Sequence, residues 1–103
     1  METRLKVLAL DDDTAFLEEL RTALESNFTV RVVNEVAQAM RTLAQFRPEI
    51  LLLDMNMPEA TGLQVLKVVR QRYPETSVIM LTGEAKTEMV VEAIRSGASD
   101  YVV

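Results

Sequence analysis

Short apolar runs alternate along this chain with longer stretches in which apolar residues recur every third or fourth position. That alternation predicts strands and amphipathic helices taking turns. Leu5 to Leu10 reads as a buried strand ending at Asp11. Phe16, Leu17, Leu20 and Leu24 then share one helical face, with Asn27 expected as a left-handed C-cap. Val30 to Val33 is a second, β-branched strand. Asn34 is placed to cap a helix whose buried stripe is Val36, Met40, Leu43 and Ala44, stopped by Pro48. Ile50 to Leu53, four aliphatic residues in a row, predicts a central strand buried on both faces and closed by Asp54. Thr61 and Gln64 form a capping-box pair opening a third helix, which Tyr73-Pro74 ends. Val78 to Leu81 is a fourth strand ending at Thr82. A fourth helix turns Met89, Val90, Ala93 and Ile94 inward and closes at Gly97. Tyr101-Val102-Val103 begins a fifth strand, where the sequence stops.

Elements of this length in this order predict one α/β domain over residues 1–103: a doubly wound parallel sheet with right-handed crossovers and helices on both faces. Such sheets place their sites at the carboxyl ends of the strands. Three of the four complete strands end there in an acid or a hydroxyl: Asp11, Asp54 and Thr82.

Composition narrows the chemistry. The 103 residues contain neither cysteine nor histidine. Disulfides, thiolate catalysis and zinc-thiolate sites are excluded, and the commonest general base is absent. Carboxylates, hydroxyls, lysines and backbone groups remain. A formal charge of -5 disfavours direct nucleic-acid binding through a basic face. No run is long or apolar enough to span a membrane, and the N-terminus lacks a secretion-type apolar region, so the cytoplasm is the expected location.

If the first and third strands are neighbours, Asp11, Asp12 and Asp54 converge above the sheet edge. Two like charges about 4 Å apart repel by roughly 4 kcal/mol at an effective dielectric near 20. That is a large part of the about 5–15 kcal/mol that stabilises a domain. Either one acid is protonated or a cation sits among them, and an all-oxygen set points to Mg2+ or a similar hard ion. A run of acids before a helix also caps free amides and complements the helix dipole. Asp13 fits that structural role, and Asp11 and Asp12 alone would fit either. Asp54, closing an aliphatic strand, has no capping task.

These residues resemble the response-regulator receiver domain of two-component signal transduction. The likeness rests on Asp11-Asp12 after an apolar strand, Leu51-Leu52-Leu53-Asp54-Met55-Asn56-Met57-Pro58, Gly62-Leu63, Leu81-Thr82-Gly83 and Gly97-Ala98-Ser99-Asp100-Tyr101, in order along the whole chain. The resemblance implies a flavodoxin-like five-stranded sheet of order 2-1-3-4-5. It implies Asp54 as phosphoacceptor, taking a phosphoryl group from a sensor histidine kinase or a small phosphodonor. Asp12 would bind Mg2+ directly, Asp11 through water, and Asn56 through its backbone carbonyl, beside Asp54. Thr82 would hydrogen-bond a phosphoryl oxygen and shift inward, and Tyr101 would rotate into the vacated space. Asn56 and Glu84 occupy the positions that tune phosphoryl lifetime, with a short-lived, chemotaxis-type signal expected. The implied activity is a phospho-switch with autocatalytic transfer and autodephosphorylation, not turnover of an outside substrate. A DNA-binding output domain outside this chain, for transcriptional control, is the commonest arrangement.

Three other readings stand beside it. An aspartyl-phosphatase-like hydrolase would want a second acid two residues after the nucleophile, where Asn56 stands. A flavodoxin-like binding module would want a Ser/Thr/Gly-rich phosphate loop in place of three aspartates. A degenerate receiver used only for dimerisation would not need its acids intact. Two departures from the family's pattern are visible. Thr61 stands where aspartate usually precedes the glycine, and both residues cap helices. The sequence reaches Val103 before the lysine-proline and fifth helix that family members carry. The expectation is a C-terminally truncated domain lacking its last helix, with weakened phosphorylation and one apolar side of the sheet uncovered. Such a chain is expected to dimerise, swap elements or be only marginally stable. Lys86 is not placed to replace the missing lysine.

Overall fold

A computed structural model describes residues 4–58, 60–81 and 97–102. Its strands are β1 (Lys6–Leu10), β2 (Thr29–Val33), β3 (Ile50–Asp54), β4 (Ser77–Leu81) and β5 (Asp100–Val102). They pair in parallel as one sheet in the order β2-β1-β3-β4-β5, the order expected. The described helices are α1 (Thr14–Leu24), α2 (Val36–Phe46) and α3 (Gly62–Arg72). The chain steps outward from β1 to β2, then back across to β3 and onward. Right-handed crossovers in opposite directions put α1 on one face and α2 and α3 on the other. The reversal also opens a crevice at the carboxyl ends of β1 and β3.

Register decides which side chains meet. Leu8 lies beside Leu51 and Leu10 beside Leu53, and the latter two lie beside Val78 and Met80. All six are fully buried, against Ala39 and Leu43 of α2 and Val65, Leu66 and Val69 of α3. The opposite face is less well covered. Val7, Ala9 and the α1 residue Leu17 are buried outside that cluster, while Val30, Val32, Ile50, Leu52, Ile79 and Leu81 are half-buried. The Ile50–Leu53 run is therefore not sealed on both faces as expected. Among the described helices only α1 lies on this side, and its Phe16, Leu20 and Leu24 are themselves half-buried.

The helix ends follow local chemistry, with two corrections. Asp13 caps α1 by accepting from the Phe16 amide at 3.1 Å. Thr61 and Gln64 form the full capping box on α3, and Tyr73 ends it before Pro74. Asn27 is not left-handed. α1 closes on Glu25 in the right-handed region, and the Asn27 amide turns back to the Leu24 carbonyl, so no positive φ is needed. The left-handed cap is instead Arg47 (φ 52), where the following Pro48 disfavours the helical conformation. Asn34 does not cap α2 either. The cap residue is Glu35, with no side-chain bond to a helix amide. The buried stripe of α2 is Ala39, Leu43 and Phe46, while Val36 and Met40 are partly buried and Ala44 is exposed. Phe46 draws the stripe round because its ring has cations of β1 and β2 beside it, Lys6 Nζ at 5.5 Å and Arg31 Cζ at 4.3 Å from the centroid. The expected fourth helix, with Met89, Val90, Ala93 and Ile94, and the strand residue Val103 lie outside the described residues.

Adjacent leucines of β3 test this asymmetry. Leu51→Ala on the covered face should cost about 3–4 kcal/mol in urea unfolding, and Leu52→Ala on the open face only about 1 kcal/mol. Equal losses would mean that the two faces are equally well packed.

Candidate functional site

β1 and β3 are neighbours with Leu10 opposite Leu53, so the next residue of each brings an acid to the same edge. One carboxylate oxygen from each of Asp11, Asp12 and Asp54 lies within 4.8 Å of the others. Asp11 is buried, Asp54 half-buried and Asp12 exposed. The backbone holds the strand ends down: the Asp11 amide donates to the Val33 carbonyl at 3.3 Å, and the Met55 amide to the Leu81 carbonyl at 3.0 Å. Asp11 Oδ1 also accepts from the Asp13 amide at 2.9 Å, turning the chain into α1. The structural role of the aspartate run thus falls to Asp13 and partly to Asp11. Asp12 caps no helix amide among the described residues.

On the β3 side, Asp54 Oδ1 accepts from the Asn56 amide at 3.2 Å. Asn56 forms an isolated antiparallel bridge with Thr61, and the Gly62 amide donates to the Met55 carbonyl at 2.8 Å. Gly62 is a site residue whose role was not legible beforehand. A Cβ there would lie 2.4 Å from the Asp54 carbonyl oxygen and 2.8 Å from Met55 Cα. Only glycine lets α3 start this close to the acid-bearing strand end. The visible signal was a glycine at the first helical position, directly after the capping threonine.

Burial pushes the Asp54 carboxyl up from its ordinary 3.8 to about 6, the Asn56 amide opposing and the charges of Asp11 and Asp12 adding. Asp11 is also raised, chiefly by burial, with the Asp13 amide opposing and Asp12 adding. Two carboxyls raised chiefly by burial, with a third acid beside them, have two remedies: protons, or a hard cation.

Asp11, Asp12 and Asp54 thus converge at one edge, and Asn56 adjoins Asp54 through its amide. Thr82 lies outside the described residues, as do Glu84 and Lys86. Thr82 directly follows Leu81, the β4 residue in register with Asp54. Tyr101 lies in β5 with its backbone opposite Met80, two strands from β3.

The raised Asp54 value has a definite sign in stability. A carboxyl that titrates higher folded than unfolded favours the folded state most at low pH. That advantage is lost as pH rises from about 4 through about 6. Without metal, Asp54→Asn should therefore be more stable than wild type at pH 7. The difference should be about 1–2 kcal/mol after allowing for solvent screening, and should vanish towards pH 4. Denaturant unfolding of both proteins across this range checks it, and a variant less stable at pH 7 would contradict it.

Residues 7–103 match the response regulator receiver domain family. The chain is 32% identical over 100 residues to the uncharacterized transcriptional regulatory protein YhcZ of Bacillus subtilis, covering 94% of this chain and 47% of that protein. It is 35% identical over 99 residues to the regulatory protein AtoC of Escherichia coli, covering 95% of this chain and 22% of that one. The chain thus spans about half or less of the length of these relatives. Among solved structures it resembles the chemotaxis protein CheY4 of Vibrio cholerae, with a TM-score of 0.92, 29% identity, and coverage of 98% of this chain and 87% of that one. A CheY-like receiver domain protein from Methanospirillum hungatei gives a TM-score of 0.91 at 26% identity, covering 97% and 81%. With the same ordered sheet and acids gathered at its switch point, this chain belongs to the response regulator receiver domains of two-component systems.

Proposed function

We propose that this receiver domain accepts a phosphoryl group on Asp54 from a sensor histidine kinase and passes the signal on by changing its surface. The observation that carries the reading is Asp54 at the end of a central strand, beside two further acids at the switch point. A carboxyl titrating near 6 is mostly ionised at neutral pH and able to act as nucleophile. An Asp54 oxygen attacks the phosphorus of a phosphohistidine. The new O–P bond forms as the P–N bond breaks, and the electron pair leaves with the imidazole nitrogen. The Asn56 amide holds Oδ1 and so fixes the carboxylate plane.

The donor set fits Mg2+: three carboxylates of like charge, in a chain with no histidine or cysteine to offer a softer ligand. Asp11, Asp12 and Asp54, with the Asn56 carbonyl, would hold it. When bound, the ion supplies the positive charge that lowers repulsion between the carboxylate and an anionic phosphodonor. Thr82 donates its hydroxyl to a phosphoryl oxygen, and Tyr101 reads the change. The phosphoryl group binds one of two arrangements better and shifts their balance. The domain is a switch and not an enzyme with outside substrate, and it works in the cytoplasm. The names and lengths of its relatives support an output in transcriptional control through a DNA-binding domain outside residues 1–103. Self-association belongs to the same reading, and the half-buried Ile50, Leu52 and Ile79 are one apolar surface among the described residues that it could use.

Intact-mass analysis after incubation with Mg2+ and acetyl phosphate tests the acceptor. One phosphoryl addition is expected, lost in Asp54→Asn and on chelation. An addition that persists in Asp54→Asn would overturn the assignment.

A further inference from the structure

At the opposite end of the sheet from the acids, one side chain ties together two turns far apart in sequence. Arg70 lies in the last turn of α3. Its Nη2 group donates to the carbonyls of Tyr73 at 2.9 Å, Pro74 at 2.7 Å and Thr76. Two hydrogens serve three acceptors, so at least one is shared. These bonds close the α3–β4 turn, where a cation also suits the helix C-terminus. The fourth bond is different. Nη1 donates to the carbonyl of Gly97 at 3.4 Å, 27 residues away, where the chain is about to enter β5.

Gly97 rests on the same side chain by packing. A Cβ there would lie 2.6 Å from Arg70 Cδ and 2.9 Å from Cγ, and its φ of +103° is one that L side chains rarely adopt. From Gly97 the chain continues through buried Ala98 to Ser99, whose amide donates to the Val78 carbonyl at 2.8 Å. The next residues pair as Ile79 with Asp100, Met80 with Tyr101 and Leu81 with Val102. Among the described residues β5 is hydrogen-bonded to a single neighbour, β4. A strand at a sheet edge is held by backbone bonds on one side alone.

We propose that Arg70 is the latch of β5: its guanidinium and methylene stem fix Gly97, and thereby the register and docking of the strand that carries Tyr101. The functional half of this proposal rests on the phospho-switch reading above. Arg70 touches no acid of the site. It acts through Gly97, and it restrains any rearrangement of β5 from the end remote from Asp54.

Hydrogen exchange on the free protein tests the structural half without reference to phosphorylation. Arg70→Met keeps an apolar stem and removes the donors. It should speed exchange of Ser99 and β5 amides at least about tenfold while leaving β1 and β3 amides unchanged, as expected for a local opening. Gly97→Ala, which leaves Arg70 intact but disturbs its seat, should do the same. Unchanged exchange at 99–102, or equal acceleration in every strand, would overturn the latch. Beryllofluoride, a phosphoryl mimic, tests the functional half. With β5 released, Arg70→Met should bind it several-fold more tightly in Mg2+, and equal or weaker binding would contradict the claim. Wild type that binds no beryllofluoride would count against the phosphoacceptor reading, while the exchange result would still judge the latch.

Discussion

The repulsion among Asp11, Asp12 and Asp54 is the constraint around which the described structure is arranged. Three carboxylates within 4.8 Å are costly in themselves, and two are raised above their ordinary range chiefly by burial. They stay together because β1 and β3 are held side by side by a sheet with little freedom to relax. Leu8, Leu10, Leu51 and Leu53 leave no exposed surface on the covered face, and separating the strand ends would open that core. The backbone bonds from Asp11 to Val33 and from Met55 to Leu81 fasten the last residues of the site to strands on either side. Apolar burial thus supplies the free energy that keeps like charges in register.

The same arrangement explains the uneven quality of the packing. On the α2 and α3 side, large residues from three strands interdigitate with two helices. Close approach there is taken to its limit at Gly62, where any side chain would collide with the backbone of Asp54 and Met55. The other face is held by α1 alone among the described helices, and its Val30, Val32, Ile50, Leu52, Ile79 and Leu81 remain half-buried. The acids therefore stand above a rigid half of the molecule. β5, paired with β4, is also tied to the end of α3 through Gly97 and Arg70.

Much of this was legible in the sequence, for identifiable reasons. Strand positions followed from uninterrupted aliphatic runs, and the sheet order from the family motifs. Asp54 stood out because an acid closing an aliphatic strand has no capping task, and it drew in Asp11 and Asp12, which alone fitted either role. The capping box of Thr61 and Gln64 was readable because it is a local reciprocal pair. What failed was set by tertiary geometry. Asn27 had the side chain for a left-handed cap, but the turn after α1 closes without one, while Arg47 takes that conformation before Pro48. The stripe of α2 rotated towards Phe46 because Lys6 and Arg31, from other strands, lie beside its ring. Aliphatic continuity in Ile50–Leu53 could not report how much of each sheet face a helix covers. Arg70 gave no signal at all, since its distant acceptor is a backbone carbonyl.

If Asp11, Asp12 and Asp54 form the proposed cation site, their like charge is answered by protons at low pH and by a metal ion at neutral pH. The most direct test of that site is the stability gained on adding Mg2+, measured by denaturant unfolding at pH 7.5 and at pH 5. A clear gain is expected at pH 7.5, about 2–3 kcal/mol when Mg2+ is near a hundredfold over its dissociation constant. The gain should shrink at pH 5 as protons compete, and should disappear in the Asp11→Asn, Asp12→Asn double variant. A wild-type protein indifferent to Mg2+ at pH 7.5, or a double variant stabilised just as much, would contradict it.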